Sequence, residues 1–300
     1  MAGMSSSRSD DQRNTLTGVA LMAGGSASNQ FGAAIGAQAF PAIGPIGVVA
    51  IRQLVSAAIL LPVARPPFRR FTWAQWWPTL LLGLVFAVMN LFLYSAVQRI
   101  GLGLAVTLEF LGPLAVALAG TRSLIDGLFA LAAAAGVYVL VLPGASTDYL
   151  GVGLALGAAA CWAAYILLNR TLGIRLPGLQ APAAAAAVSA TAYVPVAVVI
   201  AFAGRFTGAS LLQAAVAGVM CSAIAYAADL LALRRVSSRF FGVFMSIHPV
   251  MAALAGLIVL GQRLDGHELT GMAIVVAANV GAVSSAARVR RRDPGPASEG

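Results

Sequence analysis

The chain has 300 residues, of which 60% are hydrophobic and only 10% are charged, and its mean hydropathy is +0.88. Because soluble globular proteins carry roughly a quarter charged residues, this composition excludes an ordinary soluble fold. The formal net charge of +9 comes from arginine alone, since the sequence has no lysine. These arginines lie at the ends of apolar segments, so we expect the lipid bilayer as a partner and no nucleic acid.

Ten apolar segments follow one another along the chain, with short loops between them. Each approaches the roughly 20 residues with which a helix crosses the hydrocarbon core. They lack the alternation of membrane β-strands, and backbone groups in lipid must pair internally. The pattern therefore predicts an all-α integral membrane protein with ten transmembrane helices. The predicted helices cover residues 15–39, 44–64, 76–97, 101–120, 124–142, 150–169, 181–203, 210–233, 240–260 and 267–286.

The arginines predict the orientation of these helices. If the N-terminus is cytoplasmic and the chain crosses the membrane ten times, 15 of the 19 arginines fall on the cytoplasmic side and three fall outside. The remaining one, Arg52, lies within a span. Since cytoplasmic loops carry an excess of basic residues, we expect a multi-pass protein of the inner or plasma membrane with both termini in the cytoplasm.

A repeat indicates how the ten helices are organised. Residues 99–120 align without gaps with residues 235–256, at an offset of 136, and both stretches end in Pro-x-x-x-Ala-Leu-Ala-Gly. The offset corresponds to five helices, and an odd number of spans inverts the second copy. Two inverted five-helix repeats are typical of transporters with a central site. The predicted divisions are an N-terminal tail at 1–14, repeats at 15–142 and 150–286, and a C-terminal tail at 287–300.

Two acidic residues lie deep within the predicted helices, where ionisable groups are costly and usually functional. Glu109 precedes Pro113 by four residues and shares its helical face. It predicts a proton-coupling or cation-binding site, or alternatively a protonated side chain bonded to a neighbouring helix. Asp229 lies on one face with Tyr226, which we expect to line a cavity. Asp229 is a second candidate for proton coupling, unless it pairs with an arginine near the inner interface.

Histidine and proline mark a further candidate position. His248 directly precedes Pro249, and its side chain can titrate near neutral pH, so it is a third candidate for proton coupling. The alternative is a histidine bonded to a backbone carbonyl. A proline inside a helix leaves a carbonyl without its partner. We therefore expect helix irregularities at Pro113 and Pro249.

The remaining candidates are polar residues that we expect to bind substrate. Arg52 is suited to a substrate carboxylate or to neutralising Glu109, although snorkelling towards the outer interface is an alternative. Asn90 and Tyr94 form a polar stripe on the third helix, and Gln30 lies near the middle of the first. Amides facing lipid are costly, so these side chains should face the protein interior. Whether they bind a ligand or one another is open at this point.

The sequence contains no arrangement that predicts an enzyme. It lacks the Asp-rich motifs of membrane prenyltransferases and any His/Glu metal spacing. A glycine-rich nucleotide loop is absent as well, so we do not expect ATP to power the protein directly. No cofactor and no metal is expected.

Several stretches together resemble a known family. They are NLFLYSAVQ at 90–98, LEFLGPLAVAL at 108–118, CWAAYI at 161–166 and FGVFMSIHP at 241–249. These stretches are similar to the EamA family of the drug/metabolite transporter superfamily, and the Leu-Glu-Phe-x-Gly-Pro motif is similar to its threonine/homoserine exporter subgroup. The resemblance implies ten helices in two inverted repeats, and efflux of small neutral amino acids driven by the proton gradient.

The resemblance extends to individual site residues. Glu109 and Asp229 fall on positions that are also acidic in that subgroup. The sequence departs from the pattern at His248 and Gln262, where the subgroup has acidic residues.

Residues and resemblance together predict an inner-membrane secondary transporter that exports threonine, homoserine and related amino acids by proton antiport with alternating access. The expected partners are the amino-acid substrate and protons, and assembly as a homodimer is left open. Two alternatives are kept. One is an EamA-type exporter of another metabolite or a drug, and the other is a structural or receptor-like membrane protein without a transport cycle.

Overall fold

The fold is described from a computed structural model of the chain. It describes the backbone of residues 3–119, 124–142, 144–145, 147–233, 235–236 and 238–292. Side chains are described for the same residues except 3–15, 126, 226, 229–230, 233, 238–239 and 285–292. Throughout this part of the chain the regular secondary structure is helical and contains no strand.

Thirteen α-helices run through the described residues, with three short helical segments of other types. The short segments are 3₁₀ turns at Phe68–Arg70 and Met245–Ile247 and a π-helical turn at Val219–Ile224. The α-helices are α1 (Gly3–Ala37), α2 (Phe40–Ala64), α3 (Trp73–Ile100), α4 (Leu102–Glu109), α5 (Leu111–Ala119), α6 (Leu124–Val141), α7 (Tyr149–Gly173), α8 (Gln180–Phe202), α9 (Gly208–Gly218), α10 (Ala225–Leu233), α11 (Ser238–Phe244), α12 (His248–Leu260) and α13 (Gly266–Arg292).

Seven helical stretches of the described chain are long and apolar enough to cross a membrane. They make the protein a multi-pass membrane protein. Two shorter apolar stretches, Gly127–Val141 and Gly208–Ile224, accompany them. Helix α1 is not among the seven, since Ser26, Asn29 and Gln30 interrupt its apolar sequence. The seven stretches are Phe40–Ala64, Trp73–Ile100, Leu102–Ala119, Tyr149–Gly173, Gln180–Phe202, Phe240–Leu260 and Gly266–Ser284.

The helix ends differ from the predicted ones at a few places. Helix α1 begins at Gly3, within the predicted N-terminal tail, and α13 continues to Arg292, within the predicted C-terminal tail. Helix α2 is kinked at Gly44, whose φ is +67° and ψ is 170°. The following Pro45 disfavours helical backbone at the residue before it, and only glycine adopts this positive φ readily.

Loops at each end of the helices are joined by arginine contacts. At one end, Arg99 forms a salt bridge with Asp148 at 3.0 Å. The Asp148 carboxylate also accepts a hydrogen bond from the Gly151 amide at the start of α7. The Gly151 amide and the Arg99 guanidinium together hold the pKa of Asp148 below its usual range. At the other end, Arg175 donates a hydrogen bond to the carbonyl of Ala74 and its guanidinium lies 5.6 Å from the ring of Trp77.

The helices pack in matched sets. Helix α2 packs on α8, and α6 packs on α13. Helix α3 packs on α7 and α8, while α1 and α2 pack on α9. Helix α4 packs on α12 and α7, while α1 packs on α12. Under the offset of 136 residues, the contacts of α3 with α7 and α8 correspond to those of α9 with α1 and α2, while α2–α8 and α6–α13 each join a helix to its own counterpart.

Glycine allows the closest of these approaches. A Cβ atom at Gly112 of α5 would lie 2.2 Å from the carbonyl oxygen of Ala159 in α7. A Cβ atom at Gly271 of α13 would lie 2.4 Å from the backbone nitrogen of Leu140 in α6. Neither distance is compatible with a side chain, so both helix pairs depend on glycine for backbone contact.

We expect Gly112→Ala to destabilise the protein by about 1–3 kcal/mol, because the added methyl group must push α5 away from α7. Gly153→Ala is the matched control, since Gly153 is also helical and a Cβ atom there meets nothing within 4 Å. The measurement is the thermal unfolding midpoint of the purified protein in detergent. Equal midpoints for the two variants would contradict the close α5–α7 contact.

A polar cavity as the candidate functional site

A polar cavity of about 110 Å³ lies between α1, α2, α3, α4, α7 and α12. It brings together six of the predicted site residues, namely Gln30, Arg52, Asn90, Tyr94, Glu109 and His248. The other lining residues are Asn29, Ala33, Met89, Leu93, Val106, Phe110 and Trp162. The predicted residues Tyr226 and Asp229 belong to α10, but their side chains lie outside the described residues.

Arg52 extends from α2 into this cavity. Its Nη1 donates a hydrogen bond of 2.6 Å to Oδ1 of Asn90, and its guanidinium lies 5.2 Å from the centre of the Tyr94 ring. Asn90 in turn donates from Nδ2 to the carbonyl of Phe86, at 2.7 Å. A hydrogen bond to a charged group and a cation–π contact both compensate an arginine for lost water. Arg52 is therefore held by α3 inside the protein.

Tyr94 connects this part of the cavity to the second half of the chain. Its side chain is only 1% exposed, and its hydroxyl lies beside the Arg52 guanidinium and the Cys221 thiol. The thiol of Cys221 donates to the carbonyl of Asn29 at 3.2 Å.

Cys221 belongs to the π-helical turn Val219–Ile224. Such turns are frequent at functional sites because they shift side chains and free backbone groups. Here the carbonyl of Met220 in the π turn accepts a hydrogen bond from the Ser28 hydroxyl, at 2.9 Å. The contact joins the turn to the middle of α1.

Glu109 is the last residue of α4 and is 5% exposed. The helix is interrupted at Phe110, and α5 begins at Leu111. The interruption follows from Pro113, which has no N–H to donate to the Glu109 carbonyl four residues earlier. Next to this break, Asn279 of α13 donates to the carbonyl of Phe110 at 3.2 Å. The side chain of Glu109 shares the cavity with Arg52.

His248 is the first residue of α12 and is 8% exposed. The 3₁₀ turn Met245–Ile247 precedes it, and Pro249 occupies the first turn of the new helix, where proline is favoured. Nε2 of Gln30 lies 3.2 Å from Nδ1 of His248. The imidazole also lies against the Phe110 ring, with centroids 5.6 Å apart. Glu109 and His248 thus both lie at helix breaks.

Several residues at or near this site are not among those predicted from the sequence. Asn279 is an amide within an apolar span and is 2% exposed, so the signal that identified Asn90 could also have identified it. Phe110 forms the cavity wall with Trp162, whose ring meets it edge-to-face at 4.8 Å. An apolar residue such as Phe110 gives no comparable signal in a chain this hydrophobic. Among the described side chains, no three His, Cys, Asp or Glu residues are grouped to hold a metal ion.

Comparisons with known proteins give the family. A model of the EamA-like transporter family matches residues 149–284. Threonine/homoserine exporter RhtA of Salmonella typhimurium (strain SL1344) is 35% identical over 270 residues, which cover 89% of this chain and 90% of the relative. Threonine/homoserine exporter RhtA of Escherichia coli (strain K12) is 34% identical over 258 residues, which cover 85% of this chain and 87% of the relative.

A solved structure agrees in fold. A crystal structure of a protein with 20% sequence identity covers 93% of this chain and 99% of its own, with a TM-score of 0.58. At this identity the likeness concerns the fold alone.

The seven helical stretches that can cross a membrane, together with the exporter relatives, indicate a multi-pass membrane transporter of the inner membrane. The chain belongs to the EamA-like transporter family, and its relatives named above are exporters. The family resemblance predicted from the motifs at 90–98 and 108–118 is therefore confirmed.

We expect Asn90→Leu to destabilise the protein by about 1.5–3 kcal/mol, because it removes the acceptor of a hydrogen bond from a charged group. Asn169→Leu is the matched control, since Asn169 also donates to the carbonyl four residues earlier, that of Tyr165. Thermal unfolding in detergent measures both. A loss for Asn90→Leu no larger than for Asn169→Leu would show that the Arg52–Asn90 contact adds no stability.

Proposed function

We propose that the protein exports threonine, homoserine and related small neutral amino acids across the inner membrane in exchange for protons. The observation that carries this proposal is the cavity, in which a guanidinium and a carboxyl group line the same small space. A zwitterionic amino acid offers one group of each opposite charge. In a chain 35% identical to exporters of threonine and homoserine, this arrangement favours the same class of substrate.

Arg52 is the proposed partner of the substrate carboxylate. Its planar guanidinium can donate two parallel hydrogen bonds to a carboxylate. Asn90 and Tyr94 hold the guanidinium in place, which reduces the conformational entropy lost on binding. Gln30 and Tyr226 are proposed to complete the lining of the cavity, the latter from α10.

Glu109 is the proposed partner of the substrate ammonium group and of the coupled proton. A single carboxylate can hold a proton or pair with an ammonium group, but the two compete. Their competition couples the release of substrate on one side of the membrane to proton entry, and this is antiport. Asp229 and His248 stay predictions as further proton-coupling residues.

The size of the cavity favours an amino acid over a drug. Sites for drug-sized ligands enclose roughly 300–1,000 Å³, whereas this cavity encloses about 110 Å³. An exporter of another small metabolite is the remaining alternative within the family. A structural or receptor-like protein is the alternative of another class, and it would show no transport at all.

Alternating access is proposed to arise from two inverted repeats, residues 15–142 and 150–286. The matched helix contacts support this division. So do the helix breaks, because the offset of 136 residues carries Phe110 onto Ser246, in the middle of the 3₁₀ turn Met245–Ile247. Rocking of one repeat against the other would expose the cavity to each side in turn. An even number of ten spans puts both termini on the same side of the membrane, and the excess of arginines on that side would make it the cytoplasmic one.

We expect inside-out vesicles with an acidic interior to accumulate labelled threonine, and Glu109→Gln to abolish accumulation beyond equilibration. The amide keeps the shape of the side chain but cannot exchange a proton. Glu268→Gln is the matched control, because Glu268 caps α13 by accepting from the Asp265 amide and lies away from the cavity. Export becomes uptake in vesicles of this orientation.

Several outcomes would count against the proposal. If correctly inserted wild-type protein takes up another metabolite but no threonine, the substrate assignment is wrong. If it takes up no compound in a broad screen of metabolites, the structural or receptor-like alternative is favoured over a transporter. If Glu109→Gln accumulates threonine as the wild type does, the proton passes through another residue.

A further inference from the structure

The contact between Gln30 and His248 determines which imidazole nitrogen faces the cavity as a donor. Nε2 of Gln30, 3.2 Å from Nδ1 of His248, is an amide nitrogen and can only donate hydrogen bonds. Nδ1 of His248 is therefore the acceptor. A neutral imidazole with an unprotonated Nδ1 carries its proton on Nε2. The ring thus presents an Nε2–H donor.

This Nε2–H donor has no partner among the residues that the structure describes. The nitrogen is buried, the whole side chain is 8% exposed, and His248 lines the cavity. Buried polar groups in folded proteins are nearly always hydrogen-bonded. A buried, unpaired donor at the wall of a binding cavity indicates that its acceptor arrives with the ligand.

The chemistry of the substrate identifies that acceptor. The ammonium group of an amino acid is itself a donor and cannot pair with Nε2–H. Its carboxylate has Arg52 as the proposed partner. The ring of Phe110, 5.6 Å from the imidazole, is apolar and offers no acceptor of comparable strength. What remains is an oxygen atom on the substrate side chain.

We propose that Nε2–H of His248 binds the side-chain hydroxyl of the exported amino acid and so selects hydroxylated over aliphatic substrates. The inference rests on the proposed function and deepens it, because it names the group of the substrate that the cavity distinguishes. Threonine and valine differ only by a hydroxyl in place of a methyl group. With valine bound, the Nε2–H donor stays buried and unpaired. Sites built to bind a hydroxyl reject such analogues strongly.

Two variants of His248 separate this role from a structural one. The amide nitrogen of glutamine reaches the position of the imidazole Nε2, whereas the shorter asparagine does not reach it and can place its Oδ1 at the position of Nδ1. His248→Gln should therefore keep a donor towards the cavity. His248→Asn should keep the contact with Gln30, whose Nε2 donates to the asparagine Oδ1, but lose the donor towards the cavity.

The experiment measures how well unlabelled valine and threonine compete with labelled threonine for uptake into inside-out vesicles with an acidic interior. For the wild type we expect threonine to compete roughly 100-fold better than valine, because valine leaves a buried donor unpaired. His248→Asn should reduce this ratio to about threefold or less, because the site then has no such donor. His248→Gln, which keeps the donor, should retain at least roughly a third of the wild-type ratio.

Each outcome decides the inference. A wild-type ratio near one overturns it, whatever the variants do, and leaves amino-acid export standing. An unchanged ratio in His248→Asn overturns it as well, and if that variant also loses its response to the pH gradient, His248 carries a proton instead. If the asparagine variant fails to insert into the membrane, the inference is still tested by the threonine-to-valine ratios of the wild type and of His248→Gln. Absent threonine uptake by inserted wild-type protein contradicts the proposed function, and the inference with it.

Discussion

A guanidinium group within the apolar part of a membrane protein must find acceptors inside the protein, and the organisation of this cavity depends on how Arg52 finds them. Its hydrogen bond to Asn90 and its contact with the Tyr94 ring fix α2 against α3. Tyr94 then meets Cys221 of the π turn, and Cys221 bonds the backbone of α1. One half-buried charge is thereby linked to helices from both halves of the chain.

The two helix breaks place ionisable side chains beside the same cavity. At Phe110 the chain cannot continue its helix because of Pro113, and the break places Glu109 at a helix end beside the cavity. At the corresponding position of the second half, the 3₁₀ turn before Pro249 places His248 there. Irregular backbone within a membrane is tolerated where it lines a cavity or is buried in protein. The breaks therefore place Glu109 and His248 at the same cavity, between the two halves of the chain.

Much of the site could be predicted from the sequence because polar residues in apolar helices have few alternatives to the protein interior. This reasoning predicts Gln30, Asn90 and Glu109 as site residues, and all three line one cavity. The pairing of Gln30 with His248 could not be predicted, since it depends on how α1 and α12 are rotated about their axes. The π turn at Cys221 also leaves no mark in the sequence, because its residues are as apolar as those of a regular helix.

The central claim is that substrate and proton compete for the Glu109 carboxyl group, and proton release on substrate binding tests it most directly. Threonine is added to purified protein in weakly buffered detergent solution containing a pH indicator. The account predicts acidification that saturates with threonine in the wild type and is absent in Glu109→Gln. Saturable binding of threonine to the wild type without any release of protons would contradict it.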